Sequence, residues 1–388
     1  MDFLQQSFTV GFQYKVYFTE ELFSISNTLF NDFLKQGHHP AVKQKILFII
    51  DQGVAVHHPT LSHQIEKYFD NNEYVELVVE KVIIPGGEIA KNEETFFNKV
   101  VGAINKHGID RHSYVAAIGG GSVLDLAGYA AAVSHRGIRH IRIPTTVLAQ
   151  NDSGVGVKNG INYLGKKNFL GTFAPPAVVF NDFQFLITLD DRNWRSGISE
   201  AIKVALIRDA TFFCWLEEHA QVLAERDMKV MQYLIRRCAE LHLQHISGGD
   251  PFETGSSRPL DFGHWSAHKL EQISNFTVLH GEAVAIGIAL DSIYSNLSGR
   301  LSTENSQRIV QILLKTGLPV THSMATAETD NSPILMGLQE FREHLGGRLT
   351  IMLLKDIGKG EEVHEMDPAL IREAARRLQN WKVVENQL

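Results

Sequence analysis

Short apolar runs and stretches of helical spacing alternate through the first half of the chain. Lys45-Ile46-Leu47-Phe48-Ile49-Ile50 ends at Asp51, and Val75–Glu80 and Val82–Ile84 lead into the turn Pro85-Gly86-Gly87. Tyr114–Ile118 runs into Gly119-Gly120-Gly121, and His140–Ile143 and Val178–Phe180 read as further strands. Such runs separated by helices predict βαβ units and a parallel sheet covered on both faces. From about Asp182 the pattern changes. Apolar positions recur at helical spacing over 197–224, 226–247, 264–273, 281–298, 304–315 and 368–380, and Leu349–Leu354 is the last strand-like run. The reading is an α/β domain over residues 1–184 and a mainly α-helical domain over 185–388, with the cleft between them the expected ligand site.

Composition narrows the function. A chain of 388 residues suits two domains, and 44% hydrophobic with 21% charged residues is a globular balance. With 37 Lys+Arg against 44 Asp+Glu the formal net charge is −7, which argues against a dedicated nucleic-acid or anionic-membrane binder. Two cysteines without CxxC spacing exclude a disulfide framework and a thiolate zinc site. No run of about 18 apolar residues occurs, and Met1–Gln6 lacks a signal-peptide pattern, so the expectation is a cytoplasmic protein.

Three groups of residues carry candidate chemistry. Gly119-Gly120-Gly121-Ser122 lies between a strand and a helix expected to begin near Val123, where backbone N–H groups can approach a pyrophosphate; the alternative is a plain tight turn. Asp51, closing an earlier strand, adds an acceptor for a ribose hydroxyl. Arg136, Asp152, Lys158, Lys166, Lys167 and Asn168 form a polar, cationic group, mostly on a glycine-rich stretch from Pro144 to Gly171 with no regular pattern. It suits a phosphate or is a solvated loop. Glu200 and Lys203 share a helical face at i, i+3, Asp261-Phe262-Gly263-His264 precedes His268, and His280-Gly281-Glu282 opens the next helix. One carboxylate with imidazoles from separate helices suits a divalent ion, although most single histidines are surface or core residues.

Together these stretches resemble the sugar phosphate cyclases, the family of 3-dehydroquinate synthase. The resemblance rests on Gly119-Gly120-Gly121 with Asp125, Arg136-Gly137, Pro144-Thr145-Thr146, Asp152 to Lys158, Lys167-Asn168, Glu200-Ala201-Ile202-Lys203, Phe262-Gly263-His264 with His268, and Leu279-His280-Gly281-Glu282. It implies a Rossmann-like parallel sheet and a helical C-terminal domain. It also implies NAD contacts from Asp51, Glu88, Lys91, Gly119, Gly120, Gly121, Ser122, Asp125, Thr145 and Thr146. Zn2+, or another divalent ion such as Co2+, would be held by Glu200, His264 and His280. Lys158, Lys167, Asn168 and His268 match the substrate and phosphate side, Arg136 an arginine offered across a homodimer interface, and Asp152, Lys203 and Asp261 polar residues around the reacting hydroxyls. The implied reaction is that of a lyase using NAD catalytically: a ring hydroxyl is oxidised, phosphate leaves, the ketone is reduced, the ring opens, and an aldol step closes a carbocycle.

The chain departs from 3-dehydroquinate synthase proper. That enzyme carries a lysine and an arginine for the substrate carboxylate; here the matching stretch is Ala239-Glu240-Leu241-His242-Leu243-Gln244-His245-Ile246, and Arg258 is out of register. Asp261 replaces an asparagine, and a buried carboxylate facing it would lose about 2–5 kcal/mol. Asp261, with Glu340–Gly347 and Glu362–Glu365, resembles the 2-epi-5-epi-valiolone synthase branch, which acts on sedoheptulose 7-phosphate. That branch has Ser-Pro where this chain has Ala267-His268. The mixture, with Gly249–Glu253, is similar to the cyclase-like proteins of bacterial ebo clusters. The expected function is a cyclase acting on a carboxylate-free sugar phosphate. The alternatives are 3-dehydroquinate synthase itself, an NAD-dependent polyol (glycerol-type) dehydrogenase, and a binding protein on a retired cyclase fold.

Overall fold

The computed structural model describes residues 2–248, 252, 261–329, 331–344 and 349–381. Arg258, Gly249–Pro251, Glu253 and Leu345–Gly347, all singled out above, lie outside the described residues. The chain forms two compact units, Met1–Thr145 with Gly156–Gln184, and Thr146–Val155 with Phe185–Leu388.

In the first unit seven strands form a parallel sheet: β1 (Val16–Thr19), β2 (Lys45–Asp51), β3 (Glu76–Leu77), β4 (Val82–Ile84), β5 (Tyr114–Gly119), β6 (Arg139–Pro144) and β9 (Val178–Asp182). The order is β1-β9-β6-β5-β2-β3, and β4 pairs with the end of β2, Ile49 opposite Val82. The central strands β2 and β5 are buried along almost their whole length, as the continuous apolar runs require. Only Glu76–Leu77 of the run Val75–Glu80 pairs as a strand.

The stretch after Pro144, which has no readable pattern in the sequence, is regular. Ala149–Ser153 forms a π-type turn, and β7 (Lys158–Tyr163) pairs antiparallel with β8 (Lys166–Phe173). The hairpin tip puts both Leu164 and Gly165 at positive φ, 51° and 73°. Leucine is an uncommon residue there, so the usual Asn-Gly signal of such a turn is absent. Arg142, fully buried, donates to the carbonyls of Gly156 and Lys158 at 2.7 Å and so holds the start of the hairpin.

The second unit is helical, with one hairpin of β10 (Ile351–Asp356) and β11 (Lys359–Val363). Residues 146–155, placed with the first domain in the sequence reading, pack here instead. Buried Asn151 donates to the carbonyl of Gly197 at 2.7 Å, and a Cβ on Gly197 would stand 2.5 Å from the amide nitrogen of Leu148. The helical pattern over 197–224 is two helices, Ile198–Arg208 and Ala210–Ala224. Asp209 separates them and accepts the amide of Phe212 at 2.9 Å as the N-cap of the second. Among the described residues no helix is long and apolar enough to cross a membrane.

Candidate active site

The second unit contains the metal-type cluster. Helix Ile198–Arg208 is buried almost all round, so Glu200 and Lys203, one turn apart, are taken out of water together and form an ion pair. Burial would push the Glu200 carboxyl up, but the Lys203 ammonium beside it outweighs this and holds it at about 2. Burial would likewise lower Lys203, and Glu200, Asp152 and Asp261 keep it well above the ordinary lysine value.

The other oxygen, Glu200 Oε1, is buried without a hydrogen-bond partner and faces His280 Nε2 at 3.5 Å and His264 Nε2 at 3.7 Å. Ligands about 2.1 Å from a tetrahedral ion stand about 3.4 Å apart, so these spacings leave room for one. The outer nitrogens fix the tautomers. His264 Nδ1 donates to the carbonyl of Phe262 and His280 Nδ1 to the Glu271 carboxylate, each at 3.1 Å, which leaves both Nε2 lone pairs toward Glu200. Burial, with Lys203 and His280 nearby, lowers the proton affinity of His264 further. The donor set fits a divalent ion.

Backbone geometry holds the two imidazoles in place. Gly263 caps helix His264–Ile273 in the left-handed region, φ 76°, and a Cβ on Gly287 would lie 2.0 Å from its carbonyl oxygen. Helix His280–Leu297 therefore meets the start of the His264 helix at a glycine–glycine crossing. Asp291, fully buried on that second helix, accepts the Gly263 amide at 3.1 Å and Trp265 Nε1 at 2.9 Å, and burial pushes its carboxyl up to about 7. His268 joins the group, its ring 5.4 Å from that of His264 and 6.1 Å from that of His280. Asp152 lies within electrostatic reach of Glu200 and Lys203 and accepts from His242 Nδ1 at 2.7 Å.

The first unit gathers the expected cofactor residues. β5 ends at Gly119, and its helix, Gly121–Val133, begins two residues earlier than the sequence pattern suggests, with Gly120 as N-cap. A Cβ on Gly119 would meet Val123 at 2.9 Å and Asp51 at 3.0 Å, and one on Gly86 would meet Asp51 Oδ2 at 2.5 Å, so the glycines let the ends of three strands close on one acid. Burial raises the Asp51 carboxyl against the amides of Gly53, Val54 and Gly120. Thr145 donates its amide to the Gly119 carbonyl at 3.1 Å, whereas Thr146 belongs to the second unit, where its hydroxyl accepts the Ala149 amide.

Lys91, buried, pairs with Asp125 at 2.9 Å and donates to Asn168, Lys167 lies 3.4 Å from Glu88, and Asn162 accepts the Asn168 amide at 2.8 Å. Residues expected on the cofactor side and on the phosphate side thus share one network. Ser122 is half-buried in the first turn of the Gly121 helix, Lys158 is exposed at the start of β7, and Arg136 is exposed at positive φ, 63°. Asp261 is half-buried ahead of the His264 helix.

Sequence models of the 3-dehydroquinate synthase N-terminal and C-terminal regions match residues 81–196 and 197–336. The 3-dehydroquinate synthase of Nitrosospira multiformis is 40% identical over 291 residues, 75% of this chain and 78% of that protein. The chain belongs to the 3-dehydroquinate synthase family. Two solved sugar phosphate cyclases share its fold. The 2-epi-5-epi-valiolone synthase of Streptomyces hygroscopicus, with NAD+ and Zn2+ bound, is 30% identical with a TM-score of 0.86 over 97% of this chain and 99% of that one. A 2-deoxy-scyllo-inosose synthase complexed with carbaglucose-6-phosphate, NAD+ and Co2+ is 23% identical with a TM-score of 0.77 over 93% and 96%, a likeness of fold. The expected fold, a Rossmann-like parallel sheet and a helical C-terminal region, is the one this family shows.

Three residues of this cyclase site escaped the sequence reading of its chemistry. Glu271 lies seven positions after His264 on the same helix, a spacing that returns to the same face. Asp291 is an acid in an otherwise apolar stretch, which in a buried helix signals a polar partner. His242 stood out in the sequence as the residue found where a lysine was missing and a candidate holder of a carboxylate, with no sign of Asp152 as its partner.

Proposed function

We propose that this family member is an NAD- and zinc-dependent sugar phosphate cyclase that turns a ketose phosphate without a carboxylate, such as sedoheptulose 7-phosphate, into a carbocycle with loss of phosphate. One observation carries the substrate reading. The stretch that would supply a lysine to a carboxylate supplies His242, and its Nδ1 is already bonded to Asp152. The cofactors follow the likeness to the valiolone synthase, which holds NAD+ and Zn2+, and the fit of Glu200, His264 and His280 to a divalent ion.

When bound, NAD supplies reversible oxidation of a ring hydroxyl and the divalent ion supplies positive charge at the substrate's oxygens. The chain's own residues do the rest. Lys203, kept charged by its neighbouring acids, donates hydrogen bonds to substrate hydroxyls, and Asp152, kept ionised, accepts them. Lys158, Lys167, Asn168 and His268 meet the phosphate side, and Asp261 the hydroxyl side. Asp51, Glu88, Lys91, Gly119–Ser122, Asp125, Thr145 and Thr146 hold the dinucleotide.

A cytoplasmic homodimer completes the proposal, with Arg136 offered to the partner subunit. Its support is an exposed arm, uncharged from Phe3 to Gln13 and carrying Phe3, Leu4, Phe8, Val10 and Phe12, ahead of the edge strand β1.

The test is phosphate release with NAD and zinc, comparing sedoheptulose 7-phosphate with the carboxylated precursor of dehydroquinate, and Glu200→Ala as blank. Turnover of the first alone is expected. Turnover of the second alone would overturn the substrate reading in favour of 3-dehydroquinate synthase proper, which the 40% identical relative supports. Net NADH accumulation from glycerol-like alcohols would instead mark a polyol dehydrogenase.

A further inference from the structure

Asp152 sits on the short π-type turn Ala149–Ser153, against which helix Met228–Ser247 packs. The turn fixes the backbone through Gly154 N–H to the Ala149 carbonyl, 2.9 Å, and Val155 N–H to the Asp152 carbonyl, 3.0 Å. It does not fix the carboxylate. Among the described residues His242 alone bonds the Asp152 side chain, through Nδ1 to Oδ1 at 2.7 Å. Both side chains are mostly buried, 14% and 20% exposed. A carboxylate accepts, so Nδ1 carries the proton and the imidazole donates.

The Lys203 ammonium, already paired with Glu200, pulls on Asp152 as well. A carboxylate without a second anchor turns toward the nearest ammonium, and acid and amine would then satisfy each other instead of a substrate. We propose that His242 is a positioning residue: it ties Asp152 Oδ1 to helix Met228–Ser247, holding the carboxylate off Lys203 so that Oδ2 and the ammonium both remain available to substrate hydroxyls. This rests on the cyclase reading above and assigns that site a determinant outside the metal ligands and the phosphate contacts.

The test is a double-mutant cycle on phosphate release by the zinc- and NAD-loaded enzyme. His242→Leu removes the donor, and kcat falls about 10- to 100-fold, the range expected for one charge-assisted hydrogen bond, while KM stays within about threefold. His242→Asn, whose side-chain N–H can stand where Nδ1–H stood, recovers to within about fivefold of wild type. In an Asp152→Ala background, which leaves His242 no acceptor, His242→Leu changes the residual rate less than about twofold, because the residue acts only through Asp152. Equal losses in Leu and Asn variants of unchanged zinc content would overturn the proposal, since the ring itself would then be required. So would losses that multiply with Asp152→Ala.

A readout without turnover covers variants that fold poorly. In the 15N-imidazole NMR spectrum of the full-length protein, His242 should carry its proton on Nδ1, with a downfield resonance lost in Asp152→Ala. An Nε2–H tautomer would overturn the assignment. If wild type releases phosphate from neither sugar phosphate, the proposed activity fails, and the tautomer still decides the pair.

Discussion

Two polar clusters in this molecule are built on opposite plans. In the first unit Lys91, Asp125, Asn168, Asn162, Glu88 and Lys167 bond one another. In the second unit Glu200 Oε1 is buried with no hydrogen bond while two imidazole nitrogens face it. A buried acceptor without a partner costs about 1–3 kcal/mol, more for a charged one, so a fold keeps it only where something else supplies the contact. The difference separates two kinds of site. The second-unit cluster is shaped around an ion and is incomplete without it. The first-unit network is complete as it stands, and a ligand using those residues must displace bonds already made.

The strongest way to break the contrast is Glu200→Gln. Zinc affinity measured by competition with a chelator should fall by at least about 100-fold, and phosphate release should be lost with it. The change also takes from buried Lys203 its ion-pair partner, leaving the more distant Asp152 and Asp261, so stability should drop, by up to about 3–5 kcal/mol in urea unfolding. Adding Lys203→Met should return most of the stability and none of the zinc binding. Stability restored together with metal binding would mean that Glu200 is a structural acid and not a ligand.

Asp291→Leu and Glu271→Leu sharpen the comparison one step outward. Each removes the acceptor that orients a ligand or its turn, and zinc affinity should weaken by about 10- to 100-fold. Because neither touches the first-unit network, NAD binding followed by nucleotide fluorescence should stay unchanged. Lys91→Met makes the converse cut. It should weaken NAD binding by a few fold, since the network loses an internal partner as well as a contact, and leave zinc binding untouched.

The smallest effect tests a feature away from both clusters. Burial opposes ionisation of Asp209, but the Phe212 amide and Arg237, 2.6 Å away, outweigh it and hold the carboxyl below its usual value. A depressed folded value means stability that is present above the unfolded value near pH 4 and is lost as the pH falls through the folded one. Asp209→Asn should therefore lower the melting temperature at pH 7 by a few degrees and flatten its decline below about pH 4. An unchanged acid limb would remove Asp209 from the account.

How much of this was legible in the sequence depended on what each element asks of its residues. The central strands could be read because a parallel strand buried on both faces must be apolar throughout, as Leu47–Ile50 and Val115–Ile118 are. The helix His264–Ile273 was placed to the residue. The β7–β8 hairpin was hidden because its turn uses Leu164 at positive φ and its second strand, Lys166–Phe173, is largely exposed and weakly alternating. The single helix expected over 197–224 ran through Asp209 because a capping acid inside an apolar pattern looks like one polar position on a continuous face. Within the metal cluster the residues that could donate to an ion stood out by type. Those that hold them left weaker signs, Glu271 a same-face spacing from His264 and Asp291 an acid in an apolar stretch, and their partners lie on another element: Glu271 meets His280 and Asp291 meets Gly263.

The glycine–glycine crossing at Gly263 and Gly287 sets a dimension of the metal cluster. At that point the His264 and His280 helices are kept apart by one backbone resting on another. A single added methyl group at position 287 would alter that separation at once, so the spacing of two metal-type ligands depends on two residues that perform no chemistry.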